Sequence, residues 1–128
     1  MKKIISTDSA PQAVGPYSQA VRMGDFLFCS GQISIDPKNQ QVFTGDIQTQ
    51  TKMVLNNIEA VLKHENMNFS HIIKTTIFLT SMSDFAAVNE IYAQRFSSAP
   101  PARSTVQVSG LPKGVNVEIE VIAHIGAA

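Results

Sequence analysis

The chain has 128 residues, 44% of them apolar, enough for one domain with a fair core, so residues 1–128 are expected to form a single domain. Ten basic and ten acidic side chains cancel, with no charge run longer than Lys2-Lys3, which argues against a nucleic-acid face built on clustered Lys and Arg. No apolar stretch approaches the roughly 20 residues of a membrane span, residues 1–6 lack the apolar core of a signal peptide, and the single cysteine forms no internal disulfide, so the expected location is the cytoplasm.

Ile4-Ile5 reads as a short first strand, and Ala10 to Tyr17, with Pro11, Gly15 and Pro16, as a loop. Gln19 to Met23 reads as a strand, Gly24-Asp25 as a tight turn and Phe26 to Ser30 as the returning strand. That strand is apolar on both faces, the pattern of one buried on both sides. Gly31 follows at once, where a backbone or ligand can approach closely. Asp36-Pro37-Lys38-Asn39 is a turn.

A first helix starts near Thr44 or Asp46, either of which can cap it. Its apolar stripe is Ile47, Val54, Leu55, Ile58, Val61 and Leu62. Asn66 to Ser70 breaks it, and His71 to Thr80 is a strand with both faces mostly apolar. A second helix starts at Ser81 or Ser83 and carries Phe85, Val88, Ile91, Tyr92 and Phe96 on one side. Pro100-Pro101 stop it. The chain then extends through Arg103 to Val108, turns through Gly110 to Gly114, and returns as a strand from Val115 to Ile125, closing a hairpin.

The returning strand alternates strictly. Val115, Val117, Ile119, Val121, Ala123 and Ile125 share one face, while Asn116, Glu118, Glu120, Ile122 and His124 share the other. Glu118 and Glu120 are then about 6.6 Å apart along the strand, and the pattern does not separate their roles. A fixed arginine beside a carboxylate-bearing strand suits a small carboxylic acid; a solvated face with a chance arginine fits the same pattern. Two helices cover only one face of such a sheet, so the other is expected to be buried by further copies of the chain, with sites between subunits.

Little else announces chemistry. His64, His71 and His124 show no metal spacing, and Cys29 sits in an apolar strand as a small core residue, so no metal site is expected. Tyr17 is a gate or a packed aromatic, Asn89 interrupts the stripe of the second helix, and Ser30 ends a strand.

Taken together, Gly15-Pro16-Tyr17-Ser18-Gln19-Ala20, Ser30-Gly31-Gln32-Ile33, Lys74-Thr75-Thr76-Ile77-Phe78, Val88-Asn89-Glu90-Ile91-Tyr92, Pro101-Ala102-Arg103-Ser104 and Val117-Glu118-Ile119-Glu120-Val121-Ile122-Ala123 resemble the RidA (YjgF/YER057c/UK114) family of reactive intermediate deaminases. Each motif is weak alone; the ordered set, from about Ile4 to Ala123, is specific. The resemblance implies an α+β, chorismate-mutase-like domain, a mixed sheet with two helices on one face, and a homotrimer with a central barrel and three inter-subunit clefts. It implies cofactor-independent hydrolysis of 2-imino acids, released by pyridoxal-phosphate enzymes such as threonine dehydratase, to 2-keto acids and ammonia. The family's carboxylate-binding arginine falls on Arg103 and its water-positioning glutamate on Glu118. Its other cleft residues fall on Tyr17, Ser30, Gly31, Asn89 and Thr105, the last a position where many members have cysteine. Two rivals are an endoribonuclease, which the scattered charge supports poorly, and a non-catalytic module that binds a keto acid.

Overall fold

The computed structural model describes residues 1–128. Six strands form one mixed sheet in the order β1-β2-β3-β8-β6-β7. They are β1 (Lys3–Ile5), β2 (Ala20–Met23), β3 (Phe26–Gln32), β6 (Ile72–Leu79), β7 (Ala102–Gln107) and β8 (Val117–His124). A two-stranded ribbon, β4 (Ile35–Asp36) with β5 (Gln41–Val42), flanks the expected turn at residues 36–39 and was not anticipated, being only two residues a side. The sheet and its two helices, α1 (Ile47–His64) and α2 (Phe85–Ala93), make the α+β fold expected above. No helix is long and apolar enough to cross a membrane.

Local chemistry sets the helix ends. Asp46, not Thr44, caps α1, its carboxylate accepting from the Thr49 N–H at 2.9 Å. Ser81 caps a single 3-10 turn, Met82–Asp84, which delays the start of α2 to Phe85. Phe96 lies beyond the end of α2 yet still packs against Tyr92, with ring centroids 4.5 Å apart and the rings tilted by 33°.

The core is one contiguous cluster. Val54, Leu55, Ile58, Val61 and Leu62 of α1 and Val88, Ile91 and Tyr92 of α2 pack on Leu27, Ile77, Leu79, Val117, Ile119 and Val121 of the sheet. The alternation of β8 is thereby explained: its odd-numbered residues are buried under the helices and its even-numbered ones face away.

One expectation is corrected. The last two strands do not form a hairpin: β7 pairs with β6 in parallel, and β6 lies between β7 and β8, antiparallel to the latter. A helix such as α2 is the usual link between parallel neighbours, so β7 takes the outer place beside β6. The strongly alternating β8 takes a central position between β3 and β6 instead. Within the chain only one face of β3 is covered: Leu27 is fully buried, whereas Phe26 and Phe28, on the face expected to meet further copies, are 41% and 44% exposed.

Candidate active site

The register of the sheet divides the expected site residues. Arg103 pairs across the sheet with Thr75, and Thr75 with the buried Val121, so Arg103 stands on the helix-covered face. Glu118 pairs with Phe78 and alternates with the buried Val117 and Ile119, so it stands on the open face. Arg103 and Glu118 of one chain therefore do not meet, contrary to the expectation of a guanidinium beside the carboxylates.

Glu118 belongs to a cavity of about 680 Å³. Tyr17, Ser30 and Gly31 line it too, joined by Gln12, Val14, Ile33, Ile35 and Lys113. Three of the expected residues are thus gathered around Glu118. Register is lost between Cys29 and Gln32 of β3 against β8, a bulge that re-aims Ser30 and Gly31 beside the glutamate. The absent side chain of Gly31 is filled by Glu118: a Cβ at residue 31 would lie 2.8 Å from its Cδ and 3.0 Å from its Cγ. The close approach expected at Gly31 is made by this carboxylate.

Ser30 is held by the preceding loop. Its N–H donates to the Gln19 carbonyl at 2.9 Å and its hydroxyl to the Ser18 carbonyl at 2.6 Å. Gln19 fastens the same loop: its buried amide accepts from the Thr7 N–H at 2.7 Å and donates to the Pro11 carbonyl at 2.7 Å. Tyr17 stands half-exposed at the rim, its hydroxyl oxygen accepting from the Val14 N–H at 3.4 Å.

Electrostatics separates the two glutamates that pattern left equal. Burial, and then the negative charge of Glu120, raise the Glu118 carboxyl above the usual glutamate range. Glu120 is exposed and lines no part of the cavity. The buried Cys29 thiol is pushed up to about 12 by burial, which leaves it protonated at neutral pH and unsuited to nucleophilic work.

Arg103 lies outside this cavity, with Asn89 and Thr105. Its Nη1 donates to Asn89 Oδ1 at 2.7 Å, and its guanidinium lies over the rings of Tyr92 at 5.0 Å and Phe85 at 5.6 Å. Asn89 thus orients the arginine. Thr105 shares the face of Arg103 two residues on, and its hydroxyl oxygen is buried without a hydrogen-bond partner. Lys113, in the Pro112–Gly114 turn, also stands at the cavity wall, a place that no sequence motif marks. Its left-handed backbone, φ 59°, is uncommon for a residue with a side chain and follows from the tight turn before β8.

Residues 7–125 match the model of the family described as endoribonuclease L-PSP. A mouse protein named 2-iminobutanoate/2-iminopropanoate deaminase is 44% identical over 126 residues, 98% of this chain and 93% of that one. Several microbial relatives carry only the name RutC family protein. Among solved structures, the Rid-family protein YyfA of Yersinia pestis superposes with a TM-score of 0.95 at 50% identity, covering 97% of this chain and 99% of its own. Escherichia coli TdcF, solved with bound serine, superposes with a TM-score of 0.91 at 43% identity, covering 95% and 98%.

Proposed function

This chain belongs to the endoribonuclease L-PSP family, which includes the YjgF/RidA proteins, and we propose that it is a cytoplasmic 2-imino acid deaminase working as a homotrimer. Its substrates are 2-iminobutanoate and 2-iminopropanoate, and its products the 2-keto acids and ammonia. The observation that carries the reading is the pair of complementary groups: an arginine presented by its neighbours and a half-buried glutamate of raised pKa in a cavity. Their separation on opposite faces of one sheet supports a site completed between subunits, with Arg103 from one copy and Glu118 from the next. The open face, with Phe26 and Phe28 uncovered and Phe78 and Ile122 partly so, supports a second copy packing there. A relative named for this activity and a structural neighbour holding an amino acid supply the ligand class.

The chemistry follows from those groups. Arg103 clamps the substrate carboxylate through parallel charge-assisted hydrogen bonds, which fixes the C=N carbon for attack. Glu118 takes a proton from the attacking water as the C–O bond forms. It returns that proton to nitrogen; the hydroxyl proton of the carbinolamine then passes to the amino nitrogen, the C–N bond breaks to release ammonia, and the carbonyl forms. Thr105, Ser30 and Gly31 border the ligand, Tyr17 closes its rim, and no metal or cofactor takes part.

A coupled assay with threonine dehydratase tests this. Added protein should speed the appearance of 2-ketobutyrate and reduce the imine trapped by semicarbazide. Keto-acid binding without acceleration would overturn the enzyme reading in favour of a binding module. The family's description favours a second reading, ribonuclease activity; RNA cleavage that persists through purification and in Arg103→Ala would support it.

A further inference from the structure

We infer that Tyr92 is the positioning residue for Arg103, a stacking platform that holds the guanidinium in the plane it needs to meet a carboxylate. The inference rests on the carboxylate-clamp reading of Arg103. Arg103 is on an edge strand and exposed, where a long side chain is ordinarily free to sweep through many rotamers. Here three α2 residues at helical spacing, Phe85, Asn89 and Tyr92, converge on it. Asn89 fixes one end by the 2.7 Å bond from Nη1, while the Tyr92 ring lies 5.0 Å from the guanidinium carbon and the Phe85 ring 5.6 Å.

The platform is itself fixed. Tyr92 is 5% exposed, and its hydroxyl shares a 2.8 Å hydrogen bond with the hydroxyl of Thr75, which is 1% exposed. Thr75 is also the cross-strand partner of Arg103. The three residues close a loop: backbone register joins Arg103 to Thr75, a buried hydrogen bond joins Thr75 to Tyr92, and ring-to-cation attraction joins Tyr92 to Arg103. A buried tyrosine needs only one partner for its hydroxyl, and choosing Thr75 puts the ring face beneath the guanidinium. The gain is pre-organisation, since a guanidinium already held flat loses less freedom when it binds.

The test uses titration calorimetry with 2-ketobutyrate, a stable keto acid, on the whole protein. Tyr92→Leu should weaken binding about 3- to 30-fold, the range of a cation–π contact from exposed to desolvated. Tyr92→Phe keeps the ring and should bind within a few-fold of the parent while melting lower for loss of the Thr75 bond. Progressively fluorinated phenylalanines at position 92 keep the shape and drain the ring's negative face, so affinity should fall stepwise with fluorination. A merely structural role would leave that series flat, and the series stands even if Tyr92→Leu fails to fold. In an Arg103→Met background, which removes the cation, the fluorinated series should lose its effect. If Arg103→Lys weakens binding but the series is flat, the positioning role is overturned and the clamp stands. If Arg103→Lys binds as the parent does, the clamp reading falls and the positioning role with it.

Discussion

The carboxylate of Glu118 occupies the space that a side chain at residue 31 would need, folded against the Gly31 backbone at a bulge in β3. The glutamate is half-buried because residue 31 is glycine. Gly31→Ala should expel the carboxylate from this seat, since the new Cβ would meet the carboxylate end of the glutamate, the free end of a flexible side chain that can swing away. Kcat/KM for 2-iminobutanoate hydrolysis should drop roughly 100-fold, within the usual worth of general acid–base help, while the melting temperature should change little, because the displaced carboxylate can move into the cavity. An alanine variant with parental activity would show that the seat is irrelevant to the chemistry.

Glu118→Gln keeps the shape and removes the base. Activity should fall by roughly 10²–10⁴, whereas Glu120→Gln, altering an exposed group outside the cavity, should stay within a few-fold of the parent. The reverse ranking would give the role to Glu120.

The pH dependence has a definite sign. Burial and the neighbouring Glu120 raise the Glu118 pKa in the folded state. The base form is therefore gained later on the pH scale than for an ordinary glutamate, and kcat/KM should rise through a pKa above that range. Glu120→Gln removes one cause of the shift and should move this limb to lower pH. Stability runs the other way. The native state binds more protons than the unfolded one between the unfolded and folded pKa values, so the Glu118 contribution falls as pH rises through that window. Glu118→Gln should then melt no lower than the parent at pH 7. A rate profile unmoved in Glu120→Gln would contradict the coupling.

Arg103→Lys holds charge constant and removes the planar fork. Losing about 2–4 kcal/mol of transition-state stabilisation, or roughly 30- to 1000-fold in kcat/KM, is the expected result. The melting temperature should hardly move, because Arg103 is exposed on an edge strand and is not itself part of the core. A rate within a few-fold of the parent would remove Arg103 from the reaction.

Complementation tests the site between subunits. Arg103→Ala and Glu118→Gln should each be inactive alone. Unfolded together and co-refolded at equal amounts, they should recover about one quarter of the parental rate, since a site is whole only when one chain keeps its arginine and its neighbour its glutamate. Light scattering should give a trimer for the parent. No recovery in mixed trimers would place both residues in the same subunit's site, against their separation across the sheet.

The sequence by itself determined the elements and much of the inner face. Strict alternation in β8 and the spacing of Val54, Leu55, Ile58 and Val61 each have one way to bury their apolar side chains, so period alone assigns them. Ordered motifs were likewise enough to reach the family. Only the tertiary structure decided which strands are neighbours and hence which side chains share a face. Sequence adjacency suggested that β7 and β8 pair; placing β6 between them was a matter of long-range pairing, which no local pattern encodes. It was also tertiary contact that parted Glu118 from Glu120. Both face the same way on one strand, but only Glu118 has a glycine at a bulge to lie against. Tyr92 shows the same limit: its place in an apolar stripe marked it as core, and only its contact with Thr75 of β6 turned its ring beneath Arg103.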